Sequence, residues 1–208
     1  MARKALNLSN GFNYDGTGTG TAVESNAQKI DDNFEQAFLR YGITASEQMA
    51  PADTTVETAN TQKLTIAAGT LEAGDRIVGK AWGKVTAANS TDLLTARVRI
   101  GNTGLTGTIL AEQAAYNADA NDIVEFDFSI FFERLTDSDA DPDPITSLMH
   151  SAGKAKATGE TEIPTHQVDI TSVDTEAAIE IVFTQDWSVD NAGNRFKLYD
   201  LRAEILRD

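Results

Sequence analysis

Asp122–Leu135 reads DIVEFDFSIFFERL, and its alternation decides the fold. Val124, Phe126, Phe128, Ile130 and Phe132 take every second position, with Glu125, Asp127, Ser129 and Glu133 between them. Successive side chains on a strand point to opposite faces. The pattern therefore predicts a strand with one face on a core and the other in water. Phe131 lies on the polar face beside Glu133, so it is expected to be covered by a neighbouring subunit or by the N-terminal segment.

The same period of two recurs on both sides. Leu94, Ala96, Val98 and Ile100 alternate with Thr95, Arg97 and Arg99. Ile77, Ala81 and Val85 oppose Arg76, Lys80 and Lys84, and Ile179, Ile181, Phe183 and Trp187 share a face. Lys63–Ala67, Ile145–Thr158 and His166–Thr171 are further strand candidates. Arg195–Leu206 changes parity between Leu198 and Leu201, which predicts a bulge near Tyr199–Asp200. Turn-rich stretches such as Gly69–Gly74 and Asp190–Asn194 separate these runs. Eight to ten strands with few helical stretches between them imply a mainly β chain. The expected architecture over residues 51–208 is a two-sheet antiparallel sandwich, in its jelly-roll version.

Residues 1–50 read differently and are expected to form an N-terminal arm with one amphipathic helix, for attachment or oligomerisation. After NGFNYDGTGTG, apolar residues fall at Val23, Ala27, Ile30, Phe34, Ala37 and Tyr41, at spacings of 4, 3, 4, 3 and 4. That is a short heptad seam. Thr21 with Glu24 makes a capping box, and Gly42 suits a helix stop after Arg40 and Tyr41. Two uses are open to such a helix: docking onto a partner, or packing on its own domain. Residues 43–60 read as a linker running into the first strand.

Composition narrows the function. The chain has 208 residues, 17 Lys and Arg against 32 Asp and Glu, and a formal charge of −15. Binding nucleic acid needs clustered cations, so neither it nor an anionic membrane is an expected partner. No apolar run is long enough to span a bilayer, and the two basic residues near the start precede no apolar stretch of the secretory kind. The absence of Cys removes disulfides, thiolate metal sites and thiol nucleophiles.

The candidate chemistry is sparse. His150 and His166 show no metal-ligand spacing, and both read as ordinary polar residues. No nucleophile elbow is present. GTGTG at 16–20 opens a helix but lacks the Lys–Ser/Thr of a phosphate loop, so it reads as a tether. DSDADPDP at 137–144 alternates Asp137, Asp139, Asp141 and Asp143. It reads first as a solvated loop, with calcium as the alternative, because it lacks the glycine and distal glutamate of an EF-hand. Trp82 and Trp187 both sit in strands, where core packing is the ordinary use, and no aromatic cluster marks a sugar platform. Neither a catalytic set nor a cofactor is expected.

Two segments carry a resemblance. GTGTGTAVESNAQKIDDNFEQAF (16–38) resembles the N-terminal segment of tailed-phage fibre and head-decoration proteins, through Lys29, Ile30, Asn33, Phe34 and Phe38. LEAGDRIVGKAWGKVT (71–86) resembles the strand pair that opens a phage virion jelly roll, through Gly74, Asp75, Ile77, Ala81, Trp82 and Gly83. Trp187–Ser188, followed by an Asn/Gly turn and a last strand, fits the same proteins. The resemblance implies a structural protein on the virion surface, a homotrimer whose arm fixes it to the major capsid protein or other virion proteins. Its attachment and oligomerisation residues would be Val23, Ala27, Ile30, Phe34, Phe38 and Tyr41. The role so implied is decoration or cementing of the capsid. The alternative is a tail or head fibre contacting the host surface, and an enzyme acting on glycans is a third class.

Overall fold

The computed structural model describes residues 38–43, 47–48, 55–89, 91–134, 148–160, 163–171 and 173–207. They form strands β1 (Phe38–Ile43), β2 (Glu47–Gln48), β3 (Thr58–Ile66), β4 (Arg76–Ala87), β5 (Leu93–Gly101), β6 (Thr108–Asn117), β7 (Ile123–Arg134), β8 (Leu148–Ala157), β9 (Ile163–Ile170), β10 (Ile179–Trp187) and β11 (Arg195–Leu206). A 3₁₀ turn at Gly104–Thr106 lies between β5 and β6.

The large sheet runs β1-β11-β4-β7-β8-β9, with β2 also on β11, and the small sheet runs β3-β10-β5-β6. Neighbours are antiparallel throughout. Eight strands follow jelly-roll order: β1 pairs β11, β3 pairs β10, β4 pairs β7 and β5 pairs β6. This is one long hairpin rolled on itself. The β8–β9 hairpin is inserted between β7 and β10 and widens the large sheet. Pro164 is tolerated on β9 because that strand is at the sheet's end in this order.

The expected core faces are inside. Phe126, Phe128 and Ile130 from the large sheet and Val98, Ile181 and Phe183 from the small one are buried in one cluster. Phe183 meets Phe126 edge-on at 5.6 Å and lies parallel to Phe196 at 5.5 Å, so three rings tie the sheets together. Two inward glycines on β4 make room for rings. A Cβ on Gly79 would stand 2.1 Å from the Phe128 ring, and one on Gly83 would stand 2.2 Å from Phe196. The predicted bulge is present as a register shift between Leu198 and Asp200.

Two corrections follow. The predicted helix ends too late: Phe38 and Tyr41 lie in β1, with Phe38 opposite Leu206 and Tyr41 opposite Ala203. FLRYGI alternates as well as it fits a heptad, and short apolar runs do not distinguish the two periods. Six residues paired along β11 supply backbone hydrogen bonds that a last helical turn cannot match, and they cover what would be an open edge. The large sheet thus takes strands from both 38–43 and 47–48, ahead of residue 50. The second correction is β6, which was not anticipated. Its register against β5 shifts twice and Ala115 has φ 44°, so TILAEQAAYN shows no steady alternation.

Candidate functional site

The motif Gly74-Asp75-x-Ile77 builds the entrance to β4. Gly74 has φ 95°, which favours glycine, and closes the turn. The buried Asp75 carboxylate accepts from the Glu72 backbone N–H at 2.8 Å and faces Arg207 at 3.6 Å. Ala81-Trp82-Gly83 then splits by parity. Ala81 and Gly83 point into the core, which forces Trp82 outward.

Trp82 is 36% exposed, so the expectation of a core tryptophan holds for Trp187 and fails for Trp82. The bulge after Leu198 brings Tyr199 beside it. The rings stack 4.8 Å apart at 6°, with Lys197 5.4 Å above the tyrosine. In register with Trp82 are Asp200 on β11 and Glu125 on β7, and Glu125 in turn faces Lys156 on β8. The result is an aromatic ridge with charged flanks on the outer face of the large sheet.

A second feature lies on the same face. Arg76, Phe131, His150 and Asp169 stand in one row across β4, β7, β8 and β9. Phe131 is 37% exposed, with its ring 6.5 Å from His150 and nearly parallel to it. His150 bridges two strands, with Nδ1 2.7 Å from Asp169 and Nε2 2.5 Å from Glu133. Hydrogen bonds donated to Glu133 and then to Asp169 raise its pKa above the ordinary histidine value. The imidazolium form donates from both nitrogens. Arg76, Ser129, Phe131, His150, Ala152 and Asp169 line a shallow hollow of about 590 Å³.

The imidazole is held between two carboxylates. The two carboxylates sit on opposite sides of the imidazole, so they cannot share an ion with it. Among the described residues no group of three His, Cys, Asp or Glu side chains is placed to hold a metal. Both ring nitrogens face carboxylates, so the bridge between strands uses the ring's two hydrogen-bonding positions. His166 lies on β9.

The outer face of the small sheet is closed by its own ions. Arg97 reaches Glu112 and Asp186, both at 2.5 Å, and Arg99 grips Glu57 with two hydrogen bonds of 2.7 and 2.9 Å. Burial raises the Glu57 pKa, but hydrogen bonds from Arg99 and Thr184 and the charges of Arg97 and Arg99 outweigh it and hold the carboxyl below its usual range. Thr184 donates to Glu57 in this network and the 3₁₀ turn at Gly104 lies against Val182, so both are buried although they point outward.

Val23, Ala27, Ile30, Phe34 and the acidic run with Asp137, Asp139 and Asp141 lie outside the described residues. Phe38 and Tyr41 lie together on β1. Sequence reasoning did not find the ridge or the His150 bridge. Parity alone puts Trp82 opposite Ala81 and Gly83, and that signal was available. The bridge joins residues from three strands and has no signal in any one of them.

No family model and no curated protein sequence matches the chain. Among solved structures it is similar to lectin I-B4 from Griffonia simplicifolia in its metal-free form, at 8% identity over 82% of this chain and 94% of that one, TM-score 0.37. It is similar to the lectin from Bauhinia forficata in complex with GalNAc, at 9% identity over 82% and 93%, TM-score 0.35. It also resembles a chain of infectious bursal disease virus, Gt strain, at 16% identity over 82% of this chain and 33% of the viral one, TM-score 0.33. The sandwich assignment rests on the strand pairing itself.

Proposed function

We propose that this protein is a structural component of a tailed-phage particle, decorating or cementing the capsid as a trimer. The observation that supports this most is the junction at Phe38. The segment resembling a phage attachment arm ends at the residue where the jelly roll begins its first strand. β1 is at the edge of the large sheet, so the arm joins the sandwich at a rim and not through its core. Attachment and folding are then separable tasks. Each subunit lays its arm on the shell, and many copies hold the shell by summed weak contacts. The protein is not an enzyme in this reading, and His150 serves as a bridge between strands.

Mixing purified full-length chain, and a chain starting at Phe38, with undecorated particles tests this. The full chain co-sediments at hundreds of copies per particle, and the truncated chain stays folded and unbound. A handful of copies would indicate a fibre instead. Binding by the truncated chain at undiminished affinity would sink the attachment role of the arm.

A further inference from the structure

We propose that the Phe131–His150 hollow binds an acidic saccharide, a sugar ring whose carboxylate is held by Arg76. This goes beyond the particle role above and does not depend on the arm. Three observations carry it.

The first is how the hollow is built. Three rows cross the strands side by side on the outer face of the large sheet. Arg76, Phe131, His150 and Asp169 make the first, and Lys80, Asp127 and Lys154 make the third. The row between them holds Val78, Ser129 and Ala152, whose side chains are shorter. Residues two apart on a strand share a face, so short side chains between tall ones leave a trough. The tall rows are four residues apart along β7, roughly 14 Å at about 3.4 Å per residue. The first row spans four strands, roughly 14 Å at about 4.8 Å per step. The volume of about 590 Å³ falls within the usual small-ligand range of about 300–1,000 Å³.

The second is charge. In a chain of −15, Arg97, Arg99, Arg202 and Arg207 each lie within 3.6 Å of a carboxylate. Arg76 is at the surface and, among the described residues, has no carboxylate or hydrogen-bond partner. Its N–H donors are open to a ligand, and a guanidinium fork matches the two oxygens of a carboxylate. The nearby Asp127 is paired with Lys80 at 3.0 Å. Asp169, at the other end of the first row, faces His150 at 2.7 Å. It is roughly 14 Å from Arg76, beyond the Debye length of about 8 Å at physiological salt. An anion at Arg76 is therefore attracted and little opposed.

The third is the rest of the lining. Phe131, beside Arg76 in the row, is 37% exposed and offers an apolar surface to the C–H side of a sugar. Ser129 adds a hydroxyl, and Asp169 accepts from sugar hydroxyls with the lone pairs that His150 leaves. A simple anion would use Arg76 alone, and a neutral sugar would leave it unmatched. A ring bearing both a carboxylate and hydroxyls uses the whole hollow.

Titration of the full-length chain with methyl β-glucuronoside, followed by amide chemical shifts, tests the assignment. Saturable shifts are expected around Arg76, Ser129, Phe131, His150 and Ala152. Methyl β-glucoside keeps the ring without the carboxylate, and acetate keeps the carboxylate without the ring. Each binds at least about tenfold more weakly, the worth of one charge-assisted contact. Arg76→Gln brings the glucuronoside down to the level of the glucoside. Ala152→Trp fills the trough and abolishes binding, and Trp82→Ala, beyond the Lys80 row, leaves it unchanged. Circular dichroism checks that all three variants fold. Equal binding of the glucoside, or undiminished binding by Arg76→Gln, overturns the carboxylate contact. Equal binding of acetate overturns the sugar. No saturable shift, or shifts centred on other strands, overturns the site. The particle role is read from co-sedimentation, so it stands or falls separately.

Discussion

Phe183→Ala is the sharpest test of how the two sheets are held together. The ring is fully buried, edge-on to Phe126 and parallel to Phe196. Removing it forfeits about 2–3 kcal/mol of transfer free energy. An unfilled cavity of roughly 80 Å³ adds about 2 kcal/mol at about 24 cal/mol per Å³. The two ring contacts contribute about 1 kcal/mol more, and partial collapse returns some of this. The expected loss is about 4 kcal/mol, in the usual range for a buried Phe truncation. With a urea slope of about 2.5 kcal/mol per M, the midpoint falls by roughly 1.5 M. Tyr199→Ala is the control, since it also breaks a stacked pair, but on the solvent face. It costs about 1 kcal/mol or less. Equilibrium unfolding followed by tryptophan fluorescence and circular dichroism reads both variants. A Phe183→Ala midpoint within about 0.3 M of wild type, at unchanged slope, would refute the inter-sheet role of the ring cluster.

Gly153→Ala places a Cβ 1.9 Å from the Leu110 carbonyl oxygen, where β6 crosses β8, and backbone must move. We expect a loss of about 1–3 kcal/mol in the same assay, and a neutral variant would show that the strands do not approach this closely. His150 has a raised folded pKa, so its bridge stabilises fully below the unfolded value of about 6.5 and loses that contribution as pH rises through the folded value. The thermal midpoint of wild type should therefore fall more than that of His150→Gln between about pH 6 and pH 9, and parallel curves would remove the bridge from consideration. Cutting the chain before Phe38 should leave the sandwich stable, whereas cutting before residue 44 removes β1, bares the β11 edge and should give aggregation on gel filtration. Equal behaviour of the two truncations would show that β1 is dispensable.

Much of the sandwich was legible because alternation is a local signal. Val124 to Phe132, Leu94 to Ile100 and Ile179 to Trp187 each state in consecutive residues which side is buried, and the Leu198–Leu201 parity change marks its own bulge. The absence of cysteine likewise removes disulfides and thiolate chemistry without any knowledge of the fold. Other features depended on partners distant in sequence. β1 is a strand because β11 offers six residues to pair with, and FLRYGI alone satisfies a helix period as well. β6 is held by β5 and packed on β8 despite broken alternation. The outward aromatic ridge needs the bulge in β11 to bring Tyr199 to Trp82, and the His150 bridge draws on β7, β8 and β9. Periodicity reports which face of an element is apolar. Only the tertiary structure decides which elements face one another, because register and pairing are set by contacts between residues far apart in the chain.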